Sequence, residues 1–416
     1  MKASRRSFLS GMSALGATML AGDALAQDVI AEILGSSRRG NWDDEFDAQS
    51  SEGGKVASNL PIFSPETISY IQRAIGDYTA IVGQGGWPTV PDTKKLKLGV
   101  IDPDVEALRR RLIVTGDLPQ GAGISPAFDS YVDAGVKRFQ ARHGLPPDGV
   151  LGRYTYAAMN VSAPTRLGQL QTNLLRLSDN TAPISRYVMV NIPAAQIEAV
   201  ENGRVVQRHT AIVGKIDRQT PILDSAINEV IVNPYWNAPE SIVRKDIIPL
   251  MRKQPDYLAK NHIRIYGPDG VEIDPATVDW STDDAAKFRF RQDPGAGNAM
   301  ASVKINFPNT HDTYMHDTPQ QGLFNKLMRF ESSGCVRVQN VRDLVTWLLR
   351  DTPGWSRQRF EQTIKSGENT PVELSTPVPV YFRYVSAWST GDRVAHFRDD
   401  IYGMDGAQSL QLSSML

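Results

Sequence analysis

The chain has 416 residues, 41% of them hydrophobic, which is room for roughly two to four domains with real cores. Its 45 Lys and Arg against 46 Asp and Glu leave a net charge of −1, which excludes the global basic field of a nucleic-acid or anionic-lipid binder. A single cysteine, Cys335, excludes an intramolecular disulfide.

In chain order, Ser4-Arg5-Arg6-Ser7-Phe8-Leu9 precedes a modestly apolar stretch from Gly11 to Gly22 and then Ala24-Leu25-Ala26, an A-x-A-like cleavage site. This reads as a twin-arginine export signal, too short and too rich in Gly, Ala and Ser to span a bilayer. No later stretch approaches the ~20 apolar residues of a spanning helix. Export makes Cys335 a lone thiol in an oxidising compartment, the periplasm, where it demands an explanation beyond that of a small buried hydrophobe.

From Gln27 to Ser58 the chain is polar and uneven, with Ser36-Ser37-Arg38-Arg39-Gly40 and Gln49-Ser50-Ser51-Glu52-Gly53-Gly54, and reads as a linker. Ser64-Pro65-Glu66 starts a helix carrying Ile68, Ile71 and Ile75 at helical spacing. A second helix follows Asp102-Pro103, with Val105, Leu108 and Leu112 on its apolar face and Arg109, Arg110 and Arg111 on a face expected to be solvated.

Between Asp129 and Val161, the stripe Val132, Val136 and Phe139 ends at Gly144. Pro146-Pro147-Asp148-Gly149 turns the chain, and a helix restarts at Tyr154 to Met159. After Ser185 the period switches to that of strands. Tyr187–Ile192 and Gln196–Val200 precede a hairpin turn at Glu201-Asn202-Gly203-Arg204, and Glu229–Val232 follows. Ser241–Arg252 and Pro255–Lys260 read as helices set into the sheet, Val341–Arg350 as a helix, Val378–Ala387 and Arg393–Phe397 as strands, and Met404 onward as a frayed tail.

The chemistry concentrates in Tyr314-Met315-His316-Asp317-Thr318-Pro319 and Ser332-Ser333-Gly334-Cys335-Val336-Arg337-Val338. A thiol is mostly protonated at neutral pH, so a nucleophilic Cys335 needs an imidazole or a cation beside it. His316, 19 positions earlier, can supply the imidazole only from a second element folded back on the first. His311 is a more distant candidate, and none of the histidines forms a metal-ligand pair. Gly334 clears space for a substrate carbonyl, with the Gly334 and Cys335 N–H groups as an oxyanion hole. Four groups are open as the partner of the other His316 nitrogen: Ser333, Asp317, Ser332 or a backbone carbonyl. Tyr235, Trp236, Tyr314 and Phe324 are read either as walls of a peptide groove or as ordinary core. No Gly-rich phosphate loop and no Cys/His metal cluster occurs, so no cofactor and no metal are implied.

Two resemblances attach to these residues. Val136-Lys137-Arg138-Phe139-Gln140-Ala141-Arg142-His143-Gly144-Leu145 with Asp148-Gly149-Val150-Leu151-Gly152 resembles the small helical peptidoglycan-binding module of wall enzymes, with Arg153 where that pattern has Pro. His316-Asp317-Thr318-Pro319, Leu323-Phe324, Arg329 and Ser332-Ser333-Gly334-Cys335-Val336-Arg337-Val338 resemble the L,D-transpeptidase catalytic domain. Val213-Gly214-Lys215, Arg218-Gln219-Thr220-Pro221, Asn233-Pro234-Tyr235-Trp236 and Arg291-Gln292-Asp293-Pro294-Gly295 are similar to its large periplasmic subfamily. Most members carry His before Gly-Cys, where this chain has Ser333, which leaves His316 as the base. Arg337 is then either a cation beside the donor peptide or thiolate, or part of a structural salt bridge.

The resemblance implies an α+β multidomain chain. Its parts are a signal peptide (1–26), a flexible linker (27–58), a mainly helical scaffold (59–128), a peptidoglycan-binding module (129–162), a β-sandwich-like catalytic domain (185–350) with an inserted helical capping subdomain (about 237–290), and a C-terminal helix, strands and tail (351–416). It implies a periplasmic enzyme whose Cys335 cleaves the diaminopimelate–D-Ala bond of a stem tetrapeptide. The acyl group passes to another diaminopimelate amine, giving a 3→3 cross-link, or to an envelope protein. The implied partners are peptidoglycan peptides and glycan, with no nucleic acid. An L,D-carboxypeptidase and a catalytically inactive wall-binding protein are the alternatives.

Overall fold

The computed structural model describes residues 58–178, 185–391 and 394–411, so the expected signal peptide and nearly all of the expected linker lie outside the described residues. Helix α1, Pro65–Gly83, starts as its sequence predicts: the Ser64 hydroxyl accepts the Thr67 N–H at 3.3 Å, and Pro65 occupies the first turn, where no N–H is needed.

Helices α2 (Asp104–Val114), α3 (Ser130–Arg142) and α4 (Arg153–Asn160) form one small domain. The Asp129 carboxylate caps α3 by accepting the Tyr131 and Val132 N–H groups, and Gly144 leaves the helix at φ +69°, a left-handed conformation that favours glycine. Val105, Leu108 and Leu112 of α2 share one core with Val132, Val136, Phe139, Leu151 and Met159. Each such fully buried side chain contributes about 1.5–3 kcal/mol. The module therefore takes in α2, ahead of the expected boundary at residue 129.

Two of the three arginines expected in solvent are core residues. Arg109 and Arg111 are each 1% exposed. Arg109 donates to the carbonyls of Ala122, Gly123 and Ala127 and pairs with Asp129 at 2.6 Å. Arg111 donates to the Met159 carbonyl and lies 3.8 Å from the Trp87 ring. A buried guanidinium is tolerated when its donors are met, and here backbone carbonyls of loop and helix meet them. Arg110 alone stays at the surface, paired with Glu106.

Helix α5, Ala163–Ser178, packs with α1 against the next domain. Ile71, Ala74, Tyr78, Leu170 and Leu177 cover Tyr187, Met189 and Val200. That domain is built on β1 (Arg186–Asn191), β2 (Gln196–Glu201), β3 (Arg204–Gly214) and β4 (Leu223–Val232). Asn202 and Gly203, both at positive φ, make the expected tight turn between β2 and β3.

The chain then leaves the sheet for an insertion. The expected helices are there, at Glu240–Ile242, Ile248–Lys253 and Tyr257–Lys260, with a π turn at Val243–Ile247 between the first two. The insertion is not purely helical, however. Strands β5 (Trp236–Ala238), β6 (Ile263–Tyr266), β7 (Glu272–Ile273) and β8 (Arg289–Gln292) form an antiparallel sheet in the order β5-β8-β6-β7, whose Ile263, Ile265 and Phe290 pack on Ile247, Ile248 and Leu258. Strands this short carry too little alternation to be read from sequence.

The main sheet resumes with β9 (Val303–Asn306), β10 (Met315–His316), β11 (Phe330–Ser332) and β12 (Val336–Val338). It ends, after helices α6 (Val341–Leu348) and α7 (Arg357–Ser366), with β13 (Thr370–Arg383). The order is β11-β3-β12-β10-β9-β4-β13-β1-β2, and β3 also pairs with β2. The expected sandwich is thus one sheet closed on itself through the long β3, which leaves few open edges. Its inner face carries Val188, Val190, Ile197, Ala211, Val213, Val230, Ile305, Met315 and Val336, sealed by Val341, Leu344 and Val345 of α6.

A hairpin of β14 (Ala387–Ser389) and β15 (Ala395–Phe397) follows. The segment expected to fray from Met404 is docked: Asp405 pairs with Arg176 at 2.7 Å, and Leu410 is buried in the helical module's core. No helix among the described residues is long and apolar enough to cross a membrane.

Candidate active site

Register assembles the site. Strands β10 and β12 are parallel, with Met315 opposite Val336 and His316 opposite Arg337, while β9 sets Lys304 opposite His316. Side chains alternate along a strand, so Met315, Val336 and Ile305 enter the core and their neighbours face outward. The outer face therefore collects Tyr314, His316, Cys335, Arg337 and Lys304. The Val336 N–H donates to the Tyr314 carbonyl at 3.0 Å, which extends the pairing back to Tyr314 and Cys335. His316 is then the diagonal neighbour of Cys335, a separation that long side chains bridge. His311 lies exposed in the turn before β10.

The partner of His316 is a backbone carbonyl. Its Nδ1 stands 2.5 Å from the Asp317 carbonyl oxygen, and a carbonyl only accepts, so Nδ1 carries the proton and Nε2 is left as an acceptor. Asp317 is held for this purpose: its carboxylate accepts from the Ser302 hydroxyl at 2.5 Å and the Thr318 N–H at 2.8 Å, and its N–H donates to Val303. Ser333 and Ser332, the other groups open from sequence, are engaged elsewhere. Arg218 donates to the Ser333 hydroxyl at 3.0 Å, and the Ser332 hydroxyl donates to the Cys335 carbonyl at 2.5 Å.

Gly334 sits at φ +114°, where an L side chain is strained, so the bend before Cys335 requires glycine. Its N–H, expected in an oxyanion hole, instead donates to the Ser332 hydroxyl at 3.2 Å, which takes it out of that role. Its carbonyl accepts from the Thr220 hydroxyl at 2.8 Å, and Thr220 in turn accepts the Gly214 N–H.

Burial dominates the electrostatics. It pushes the Cys335 thiol up, opposed by the backbone and side chain of Tyr314 and by the charges of Lys304 and Arg337. His316 is pushed down to about 3 by burial first and then by Arg337, with the Asp317 carbonyl pulling the other way. The resting pair is therefore a neutral thiol and a neutral imidazole, flanked by two cations that favour a thiolate once one forms. Burial also lowers Lys304, whose ammonium lies 4.3 Å from the centre of the Tyr314 ring. Arg337, 2% exposed, donates to Gln320 at 3.0 Å and is pushed down to about 10 by burial.

Of the four aromatics singled out from sequence, two belong to the site. The Tyr314 side chain lies beside Cys335 and the side chain of Trp236, and burial raises its hydroxyl well above its ordinary value, so it keeps its proton. Tyr235 is exposed with its ring beside Arg291 at 4.5 Å, and Phe324 is buried in the turn Gln321–Asn325, so neither is brought to Cys335. Arg218 and Thr220 stand in the sequence only as part of the Arg218-Gln219-Thr220-Pro221 motif, with no role attached, and Lys304 was missed. Lys304 had one available signal: it sits one residue before Ile305 in an alternating strand, which places it on the face opposite the core.

Among the described residues no group of three or more His, Cys, Asp or Glu side chains could hold a metal.

Residues 185–378 match the family described as "L,D-transpeptidase catalytic domain", and residues 102–159 match the one described as "Putative peptidoglycan binding domain". A "Putative L,D-transpeptidase" of Haemophilus influenzae is 36% identical over 219 residues, 52% of this chain and 44% of the relative, so the chain spans less than half of that protein's length. Among solved structures, an L,D-transpeptidase fragment (residues 123–326) from Xylanimonas cellulosilytica is 18% identical with TM-score 0.23, covering 70% of this chain and 99% of that one. An L,D-transpeptidase from Stackebrandtia nassauensis is 14% identical with TM-score 0.26, covering 71% and 96%. Scores this low carry no weight, and the assignment stands on the sequence matches. Residues 185–378 of this chain are an L,D-transpeptidase catalytic domain, carried behind a helical peptidoglycan-binding domain.

Proposed function

We propose that the protein is a cysteine acyltransferase of the cell wall. The observation that carries this reading is the shared outer face of β10 and β12, where Cys335 has His316 as its diagonal neighbour and His316 has Nδ1–H fixed on the Asp317 carbonyl. Nε2 of His316 takes the thiol proton as sulfur bonds to the carbonyl carbon of the third stem residue, diaminopimelate. The Cys335 N–H and the Tyr314 hydroxyl hold the oxyanion. Collapse breaks the bond to D-Ala, whose amine leaves with the proton from His316, and a thioester remains.

An acceptor amine then attacks the thioester, giving its proton to His316, and the thiol regains it as sulfur leaves. With a second diaminopimelate as acceptor the product is a 3→3 cross-link; with an envelope-protein amine it is an anchored protein. The helical module holds the chain on glycan and raises the local concentration of stem peptides. Action on the wall requires export to the periplasm, which we assign to the twin-arginine signal in residues 1–26.

Incubating the protein with disaccharide-tetrapeptide and reading masses tests this. A dimer lacking one D-Ala supports transfer, tripeptide alone supports an L,D-carboxypeptidase, and unchanged substrate sinks catalysis. Cys335→Ala is the control.

A further inference from the structure

One contact ties the insertion to the loop that carries Cys335. Arg218, in the connection between β3 and β4, binds the Asp246 carboxylate with both terminal nitrogens, at 2.6 and 3.0 Å, and donates from Nη1 to the Ser333 hydroxyl at 3.0 Å. Asp246 belongs to the insertion's π turn Val243–Ile247, an irregularity often found at functional sites. The ion pair is largely buried, with the two side chains 15% and 14% exposed.

The connection bearing Arg218 is folded tightly against its own strand. A Cβ on Gly214 would stand 2.2 Å from the Arg218 carbonyl oxygen, and one on Gly334 would stand 3.4 Å from the Gln219 carbonyl oxygen. Residues 214 to 220 and 332 to 335 are therefore pressed together, with Thr220 bonding the Gly334 carbonyl on one side of the bend and Arg218 bonding Ser333 on the other. Arg218 Nε is buried without a partner. Leaving a charged donor unmet is costly, and a packed apolar pair would avoid that cost, so stability alone does not account for the guanidinium.

We propose that Arg218 is a positioning residue. Clamped by Asp246 of the insertion, it fixes Ser333 and thereby the Gly334–Cys335 bend, so that the nucleophile loop holds its reactive geometry only while the insertion is seated on the sheet. The inference rests on the reading of Cys335 as the reacting group. Small misplacement of a reacting group costs about 100-fold in rate, which sets the scale of the effect.

The test is a double-mutant cycle on Ser333→Ala and Asp246→Asn, reading the single-turnover rate of Cys335 acylation by donor tetrapeptide, the KM and the melting temperature. Each single variant should acylate about 10- to 100-fold more slowly with KM within about twofold, and the double variant should be no slower than the slower single one. Ser333→Thr, which keeps the hydroxyl, should restore the rate, and this arm holds even where alanine weakens the fold. Wild-type acylation in Ser333→Ala, multiplying losses in the double variant, or a Ser333→Thr as slow as alanine would each overturn the proposal. Failure of wild-type protein to acylate at Cys335 would instead overturn the functional reading beneath it.

Discussion

The catalytic strand pair and the seam between the helical module and the C-terminal hairpin each bury a histidine in the same way. His143 ends α3 with Nδ1 2.7 Å from the Phe139 carbonyl; His316 has Nδ1 2.5 Å from the Asp317 carbonyl. Burial is the leading cause that lowers both, so both are neutral in the fold. What differs is the surroundings of the ring. His143 is stacked on Phe139 at 3.8 Å and faces Phe397 at 5.4 Å, so it is sealed between hydrocarbons. His316 meets only the edge of Tyr314 at 5.6 Å, and its strand register turns it to the face that holds Cys335. A fixed tautomer and a depressed pKa therefore do not make a base; the neighbouring strand does.

Substitutions can break this comparison, beginning with the largest effect. His316→Gln should slow acylation of Cys335 by about 10²–10⁴-fold while the melting temperature stays near that of the parent, as measured by single-turnover mass spectrometry. Tyr314→Phe, which removes the hydroxyl, should cost about 100-fold in the same assay with little change in KM. Lys304→Met should raise the thiol further, and a shift of one unit means about tenfold slower alkylation by iodoacetamide at pH 8. In the parent protein that alkylation rate should climb steadily beyond pH 9 with no shoulder near 6.5, since the thiol is raised and His316 does not titrate there. A shoulder between pH 6 and 7 would mean a resting ion pair and would contradict the neutral one.

His143→Ala closes the series. It should leave acylation within about twofold and cost about 2–4 kcal/mol of stability, read by denaturant melts. The two histidines also share a pH signature. Because their folded values lie below the unfolded 6.5, the unfolded chain binds protons first, and stability falls as pH drops below about 6.5. His143→Gln should lose less melting temperature between pH 7 and 5 than the parent, and an equal loss would show that His143 is not the group responsible.

Much of this was legible in the sequence where chemistry is local. The Ser64 cap, the Asn202-Gly203 turn and the stripe Val132, Val136 and Phe139 each depend on neighbours within a few positions, and each forms as read. The pairing of Cys335 with His316 was legible as a requirement for two adjoining elements, and the parallel pair β10 and β12 provides them. Contacts set by distant chain were not legible. Arg109 and Arg111 look like a solvated stripe until backbone carbonyls and Trp87 close over them, and Lys304 becomes part of the site only through β9 pairing with β10. The Asp317 carbonyl was one option among several, because which acceptor a histidine finds is decided by backbone path and not by residue type. The insertion's sheet escaped because its strands are two to four residues long.

The closure of the main sheet also bears on when this molecule can become itself. Strand β13 lies between β1 and β4, with Val188 beside Val380 and Val230 beside Val372, so the ring waits for segments almost two hundred residues apart in the chain. Loop-closure entropy must be met before such distant contacts stabilise anything, and folding dominated by them is slow. A chain that stops short of Thr370 leaves both β1 and β4 with an unpaired edge, the kind of surface that recruits other strands. The nucleophile loop would already exist in such a chain, but the barrel that holds it would not, so premature termination late in the sequence should give aggregation instead of a weakened enzyme.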